Sequence, residues 1–256
     1  MNLSGKNVVF VAGFGGIGFE ACKQLMTRNV ANLFLLDVME NPKALQHLQD
    51  LNKNTKVTYI YCDVTDKTSI KNAINHVVKS VQYIDVLVNG AGVIADRNVE
   101  FTINVNLIGL INTTLEAMPY MDKSQKGRGG VILNIASVLG LEPCPPIAVY
   151  SASKFGVVGF TRSLADQYYY QRSGVAITGL CPGLTESPMT ANPTISDTFE
   201  YSKPLTDKVF AAPRQPAAKA GEHLVQVLEM AQNDTLWITD RCAIKKVEHK
   251  LFWEAY

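Results

Sequence analysis

The chain has 256 residues, 47% of them hydrophobic and 18% charged, and a formal net charge of +1. This composition suits one sizeable α/β domain with a buried core and excludes a disordered chain. The lack of a basic cluster argues against nucleic-acid binding, and no stretch approaches the roughly 18 apolar residues of a membrane span.

Short apolar strands alternate with helical patterns along the whole chain. Strands are predicted over 6–12, 32–37, 56–61, 84–89, 131–137, 174–180 and 235–239. Helices are predicted after the first strand and over 41–52, 68–81, 98–121 and 150–170. Repeated β-α units with short connections predict a single-domain, Rossmann-type α/β fold. Its sheet is expected to be parallel and doubly wound, with about seven strands and helices on both faces, and the domain to span 1–256.

A glycine-rich turn joins the first predicted strand to the first predicted helix. Its six residues are Gly13, Phe14, Gly15, Gly16, Ile17 and Gly18. In this context Gly13 permits a tight turn, Gly15 lets the backbone approach a pyrophosphate, and Gly18 lets helix and strand pack closely. The turn therefore predicts a dinucleotide site, and the alternative is a tight turn without a ligand.

An acidic residue, Asp37, ends the second predicted strand about 20 residues beyond the glycine turn. A carboxylate there can accept hydrogen bonds from a ribose diol and would repel a 2′-phosphate. Val38, rather than an arginine, follows it. The pattern favours NAD over NADP, and the alternative for Asp37 is a helix cap or a loop carboxylate.

Tyr150 and Lys154 are four residues apart in a predicted helix and share one face. The phenol of free tyrosine has a pKa of about 10, and an ammonium beside it favours the phenolate. Ser137 precedes the pair by 13 residues. The three groups predict a proton-transfer device for a hydroxyl or carbonyl, whereas an exposed Tyr-x-x-x-Lys pair without function is the alternative.

Chemically suitable residues follow six predicted strands, and the carboxyl ends of such strands bind ligands in a doubly wound sheet. They are the glycine turn, Asp37, Asp63, Asn89-Gly90, Ser137 and Pro182-Gly183. This convergence favours the catalytic interpretation of Tyr150 and Lys154.

One irregular, polar stretch with four prolines covers 184–215. Loops of this length in a compact domain are often functional, so a substrate-side lid is predicted, with a mobile surface insertion as the alternative. The tail 245–256 ends in an amphipathic aromatic segment. Two roles stay open for it: covering a substrate cleft and contacting a partner subunit.

The five cysteines show no regular spacing and no C-x-x-C pair, which is typical of reduced thiols in a reducing compartment. The histidines show no metal-ligand spacing, so no metal is expected. The first strand begins almost at once, without a signal-like leader. A cytoplasmic location is predicted.

These residues together resemble the short-chain dehydrogenase/reductase family over essentially the whole length. The resemblance is carried by the glycine turn, Asp37, Asp63-Val64, Asn89-Gly90-Ala91-Gly92, Asn106, Ser137, Tyr150-x-x-x-Lys154 and Pro182-Gly183. Within that family the chain is similar to the insect (fruit-fly-type) alcohol dehydrogenases and their fat-body relatives, through NVVFVAGFGGIG, VLVNGAG and NIASVLG. Ala12 replaces the threonine found before the first glycine in most of the wider family.

The resemblance implies reversible hydride transfer between a secondary or apolar alcohol and NAD. Tyr150 would be the acid/base, Lys154 would lower its pKa and bind the nicotinamide ribose, and Ser137 would hold the substrate oxygen. Asn106 would be a link in a proton relay, or alternatively a helix-kink or surface residue. The remaining implied cofactor contacts are Asp63 and Val64 at the adenine, Asn89, Gly90, Ala91 and Gly92 along the cofactor, and Pro182, Gly183 and Thr185 at the nicotinamide.

The resemblance also implies a homodimer formed by the predicted helices 98–121 and 150–170, which carry surplus apolar residues such as Phe101 and Phe155. Ordinary core packing is the alternative for those side chains. Two other functions stay open: a weakly or non-catalytic fat-body protein that keeps the dinucleotide-binding fold, and an NADP-linked carbonyl reductase.

Overall fold

One sheet forms the centre of the molecule in the computed structural model, which describes residues 1–191 and 197–248. Eight strands pair in the order β3-β2-β1-β4-β5-β6-β7-β8 within these residues. Their bounds are β1 Asn7–Val11, β2 Asn32–Asp37, β3 Lys56–Tyr61, β4 Val86–Asn89, β5 Gly130–Ile135, β6 Val175–Pro182, β7 Thr235–Asp240 and β8 Ala243–Lys246.

Helices connect the strands and cover the sheet. Their bounds are α1 Gly16–Thr27, α2 Pro42–Leu51, α3 Lys67–Val81, α4 Val99–Ile103, α5 Gly109–Ala117, α6 Ala148–Leu164, α7 Gln167–Ser173, α8 Pro188–Ala191, α9 Lys203–Phe210 and α10 Ala217–Met230. Pro42 occupies the first turn of α2, where its missing N–H leaves no hydrogen bond unmade.

Both faces of the sheet are buried, as the continuous apolar strands predict. All five residues of β1 are buried. Val8 and Phe10 pack in one apolar cluster, with residues of α1 and α10, and Val9 and Val11 pack in a second on the opposite face. Successive side chains of a strand point to opposite faces, so this alternation places a helical layer on each side.

The strand order reverses at β1, which lies between β2 and β4 and runs parallel to both. The other strands as far as β7 are also parallel to their neighbours. The prediction of a doubly wound, Rossmann-type sheet is confirmed, and its ligand crevice is expected beyond the carboxyl ends of β1 and β4.

An eighth strand, β8, extends the predicted set of seven. It pairs antiparallel with β7 through a two-residue turn, in which Arg241 and Cys242 have φ angles of 46° and 63°. Left-handed backbone at both positions is the geometry of a tight hairpin turn, which usually carries Asn or Gly. This turn has neither Asn nor Gly, and β8 is short and largely exposed.

Two helices predicted as continuous are interrupted. The segment 98–121 contains α4, a π-helical turn over Asn104–Ile108, α5 and a 3₁₀ turn over Met118–Tyr120. The segment 150–170 divides between α6 and α7, because the Asp166 carboxylate accepts a hydrogen bond from the Tyr168 N–H and starts a new helix.

The predicted lid contains two short helices, α8 and α9, and a 3₁₀ turn over Glu200–Ser202. Residues 192–196 of the lid and 249–256 of the predicted aromatic tail lie outside the described residues. None of the helices in the described part of the chain is both long and apolar enough to cross a membrane.

Candidate active site

A cavity of about 510 Å³ lies at the carboxyl ends of the central strands. It brings together twelve of the residues predicted from sequence: Gly15, Gly16, Ile17, Gly18, Gly90, Gly92, Ser137, Tyr150, Lys154, Pro182, Gly183 and Thr185. The glycine turn and the Tyr150–Lys154 pair therefore face the same space although Gly18 and Tyr150 are 132 residues apart in the chain.

Seven predicted residues do not line this cavity: Gly13, Asp37, Asp63, Val64, Asn89, Ala91 and Asn106. Asp37 nevertheless adjoins the glycine turn, since the Phe14 N–H donates to its carboxylate at 3.5 Å. Burial raises the pKa of Asp37, and three backbone N–H groups lower it. The Asp63 carboxylate accepts hydrogen bonds from the N–H and hydroxyl of Thr65, and Val64 is buried.

The Ser137 hydroxyl acts on the Tyr150 phenol and favours a lower pKa for it. Ser137 lies two residues beyond β5, and its hydroxyl also accepts a hydrogen bond from the Leu139 N–H at 3.1 Å. Tyr150 is in the first turn of α6, and its ring packs with Cys144 and Ile147. The phenol and the hydroxyl are thus presented side by side at the floor of the cavity.

Lys154 lies one turn further along α6 and is 3% exposed. Its ammonium donates to the Ile135 carbonyl at 3.0 Å and lies 5.7 Å from the centre of the Tyr150 ring. A buried ammonium needs such acceptors because the apolar surroundings penalise its charge. Burial lowers the pKa of Lys154 to about 8.

The net shift of the Tyr150 pKa is upward, whereas Lys154 is predicted to lower it. Burial raises the pKa of Tyr150 to about 12, and the Ser137 hydroxyl works in the opposite direction. Both groups are withdrawn from water, so burial disfavours the phenolate as strongly as it disfavours the ammonium. At neutral pH Tyr150 is therefore a phenol, poised to donate a proton.

Asn106 lies in the π-helical turn and is fully buried. Its amide accepts a hydrogen bond from the Val93 N–H at 2.7 Å and donates to the Val93 carbonyl at 2.9 Å. It also donates to the Ser153 hydroxyl at 3.0 Å. Asn106 therefore fixes the loop after β4 against α6, and the helix-kink interpretation matches its place in the interrupted helix.

The glycine turn has the shape that a dinucleotide needs. A Cβ on Gly18 would lie 2.6 Å from the Ala12 carbonyl oxygen, so only glycine lets α1 approach β1 this closely. A Cβ on Gly15 would meet only that same oxygen, at 3.4 Å. The first turn of α1 has no side-chain cap, which leaves its N–H groups available to an anion.

Two polar residues on the lid side, Gln215 and Ser187, are not predicted from the sequence. Thr185 was predicted at the nicotinamide, but its hydroxyl donates to the Gly183 carbonyl and accepts from the Gln215 amide at 3.0 Å. Gln215, buried to 1% exposure, also donates to the Thr239 carbonyl at 2.7 Å. Ser187 also lines the cavity and packs directly on Gly16.

Comparison with known proteins agrees with this geometry. The profile of the family described as short chain dehydrogenase matches residues 6–196. The chain belongs to the short-chain dehydrogenase family. Among its relatives, alcohol dehydrogenase 2 of Ceratitis cosyra is 55% identical over 254 residues, which cover 99% of this chain and 98% of the relative. Fat body protein 2 of Drosophila melanogaster is 39% identical and covers 98% of each chain.

The fold agrees with solved structures. The crystal structure of levodione reductase superposes with a TM-score of 0.77 at 20% identity, covering 93% of this chain and 97% of that one. The resemblance to short-chain dehydrogenases is thus confirmed. Membership implies an oxidoreductase with a nicotinamide dinucleotide cofactor and a small-molecule substrate.

Proposed function

We propose that this short-chain dehydrogenase is an NAD-dependent alcohol dehydrogenase that uses Tyr150 as its acid/base. The observation that carries the proposal is the convergence of Ser137, Tyr150 and Lys154 on one cavity with the glycine turn. The alcohol dehydrogenase names of relatives more than 50% identical support the same substrate class.

When bound, the nicotinamide would accept a hydride in alcohol oxidation and donate one in carbonyl reduction, and the protein would handle the proton. Ser137 holds the substrate oxygen beside Tyr150, and Tyr150 exchanges a proton with that oxygen. In carbonyl reduction the phenol donates, which suits its raised pKa. In alcohol oxidation the phenolate accepts, and a protonated Lys154 favours that anion by charge attraction in a site of low dielectric constant. Oxidation is therefore expected to accelerate as the pH rises to about 8 and then to level off, because Lys154 loses its proton there.

NAD selectivity is proposed to come from Asp37. Its carboxylate lies at the end of β2, beside the glycine turn, and accepts from the Phe14 N–H. A ribose diol can donate to such a carboxylate, whereas a 2′-phosphate would face a like charge. Asp63 and Val64 follow the next strand, β3, and are proposed to flank the adenine.

The segment 184–215 is proposed to be the substrate-side lid. It contributes apolar side chains to the cavity wall: Leu184, Pro188, Met189, Val209, Phe210, Ala212 and Pro213. Ile94, Leu139 and Ile147 also line the cavity, in the apolar cluster that includes Val209. These apolar side chains favour secondary or apolar alcohols. The charged residues of the described lining are Lys154, Asp240 and Arg241.

A homodimer is proposed through α4, α5 and α6. Phe101, Ile108 and Leu115 are spaced seven residues apart and are all exposed, and Phe155 is exposed on the adjacent α6. Exposed apolar side chains that share a face are typical of an interface. Sedimentation velocity should give twice the monomer mass, and Phe155→Glu should shift the boundary towards the monomer.

The test of the catalytic proposal is NAD reduction with a panel of short, branched and long apolar alcohols. Tyr150→Phe should lower kcat by about 10³-fold, the size expected for a general acid/base, and leave the Kd for NAD within about twofold. Tyr168→Phe, on the exposed face of α7, is the matched control and should behave as wild type. A Tyr150→Phe variant that kept its rate would show that the base is another group.

Calorimetric titration with NAD separates the alternative that the likeness to fat body protein 2 supports. Tight binding without turnover across the whole panel would favour a binding protein that keeps the fold. Loss of both binding and turnover would contradict the dinucleotide site itself.

A further inference from the structure

A buried carboxylate outside the predicted catalytic set lies at the start of α6. Asp96, in the loop after β4, is 2% exposed. One of its oxygens accepts from the Tyr150 N–H at 2.9 Å, and the other accepts from the Val149 N–H at 2.7 Å. A carboxylate that receives the free N–H groups of a helix terminus stabilises that terminus by hydrogen bonds and by charge.

Thr198, which lies within the predicted lid 184–215, completes the same arrangement. Its hydroxyl donates to Asp96 at 2.8 Å and accepts from the Ala148 N–H at 2.9 Å. The backbone N–H of Thr198 donates to the Pro146 carbonyl at 2.8 Å. The first three N–H groups of α6 are thus held by two residues that are about 50 positions away on either side.

The helix has no local substitute for this pair. The residue at its N-cap position is Ile147, which has no side-chain hydrogen-bond acceptor. Tyr150 is the third residue of the helix, so any fraying of the first turn moves the phenol. Lys154 lies a turn deeper and is held independently by the Ile135 carbonyl. The first turn therefore controls Tyr150 more than Lys154.

The same contacts connect the catalytic helix to the substrate wall. Asp197 accepts a hydrogen bond from Thr206 of α9, and α9 supplies Val209 and Phe210 to the cavity. Glu200 pairs with Arg97 of the Asp96 loop at 3.1 Å, although both side chains are exposed and this pair contributes little. The half-buried Asp96–Thr198 bond also links the two segments.

We propose that Asp96 and Thr198 are positioning residues that fix the Tyr150 phenol and make its position depend on the docked lid. The proposal rests on the proposed function. Its specific content is that loss of the Thr198 hydroxyl impairs the alcohol step and leaves the dinucleotide step intact. Misplacement of a catalytic group by about 1 Å is enough to cost roughly 10²-fold in rate.

The experiment compares Thr198→Val, Thr198→Ser and Asp96→Asn by steady-state kinetics. Thr198→Val keeps the shape and loses the hydroxyl, so kcat should fall about tenfold and KM for the alcohol should rise. Thr198→Ser keeps the hydroxyl and should remain within about twofold of wild type. Asp96→Asn turns one acceptor into a donor facing N–H groups and should lower kcat by about 30- to 100-fold.

Two features distinguish positioning from simple loss of stability. In every variant KM for the dinucleotide should stay within about twofold of wild type. The double variant should be no worse than Asp96→Asn alone, because the two residues act as one unit. The matched control is Asp66→Ala, which removes the cap of α3, where the Asp66 carboxylate accepts from the Thr68 N–H. It should lower thermal stability without changing kcat.

Failure of this proposal and failure of the proposed function give different results. If wild type turns over and Thr198→Val matches it at temperatures well below melting, the positioning role is overturned. If wild type does not turn over, amide hydrogen exchange decides whether Asp96 and Thr198 hold the first turn of α6. Amides 148–150 should then exchange about tenfold faster in Thr198→Val than in wild type or Asp66→Ala. Equal rates would overturn the role of Asp96 and Thr198 in holding the first turn of α6.

Discussion

The two ends of the cavity are built by different means. At the glycine turn, the shape depends on the backbone of one short segment, where Gly18 packs on Ala12 six residues earlier. At the catalytic end, the shape depends on side chains held by distant segments: Asp96 and Thr198 fix Tyr150, and Ile135 fixes Lys154. The first end is therefore set by local sequence, and the second by tertiary contacts.

The largest expected effect in this comparison is at the catalytic end, with Lys154→Met. Removing the only ammonium beside Tyr150 in the described cavity lining should lower kcat by about 10²- to 10³-fold, as for other preorganised charges. The same change should not destabilise the protein at pH 7. Holding the ammonium with its pKa lowered from 10.5 to about 8 costs roughly 3 kcal/mol, more than its hydrogen bond to Ile135 returns.

The pH dependence of stability checks that reasoning. Between pH 8 and 10.5 the unfolded chain binds the Lys154 proton and the folded protein does not, so the free energy of unfolding should rise with pH in wild type. The rise should be reduced in Lys154→Met. Above pH 10 the raised pKa of Tyr150 acts in the opposite direction and lowers stability. Urea unfolding of wild type and Lys154→Met at pH 7 and 9 measures the free energy of unfolding of each protein. A large loss of stability in Lys154→Met at pH 7 would contradict the expectation.

The same contrast explains what the sequence could predict. The glycine turn, its strand and its helix are contiguous, so their pattern alone predicts their packing and the cavity around them. Tyr150 and Lys154 share a helix face for the same local reason. The partners of that helix could not be predicted, because nothing in residues 96 or 198 indicates contact with residue 150. Asp96 differs from a surface aspartate only by its burial.

The interrupted helices and the eighth strand show the same limit. Asn106 lies within an apolar helical pattern, and its π-helical turn depends on bonds to Val93 and Ser153, 13 and 47 positions away. The β8 strand contains two lysines and follows a turn without Asn or Gly, so neither its composition nor its turn predicts a hairpin. The direction of the Tyr150 pKa shift required knowledge of how deeply both groups are buried.

The next effect tests the locally built end, with Gly18→Ala. The added Cβ would lie 2.6 Å from the Ala12 oxygen and 3.3 Å from the Phe10 ring, so α1 must shift away from β1. Overpacking of this kind costs about 1–3 kcal/mol of unfolding free energy. The Kd for NAD should rise about 10- to 100-fold, whereas kcat at saturating NAD should change by less than about threefold.

Gly159→Ala is the matched control for that variant. Gly159 lies within α6, and a Cβ there would meet nothing within 4 Å. The substitution should raise stability by about 0.5–1 kcal/mol, the usual gain for alanine in a helix, and leave NAD binding unchanged. Equal behaviour of the two variants, measured by urea unfolding and calorimetry, would show that close packing at Gly18 does not shape the site.

The smallest expected effect concerns Asp37, where a single side chain refines the locally built end. Asp37→Asn keeps the size of the group and an acceptor for the Phe14 N–H, but removes the charge that would repel a 2′-phosphate. The ratio of NADP to NAD Kd values should fall about tenfold, a change of about 1.4 kcal/mol.

Because burial raises the pKa of Asp37, wild type should also lose discrimination between NAD and NADP as the pH falls into the acidic range. Asp37→Asn should lack that dependence, apart from the titration of the phosphate itself. The difference between wild type and variant at each pH therefore isolates the carboxylate, and a ratio that is the same in both proteins at every pH would assign the selectivity to another residue.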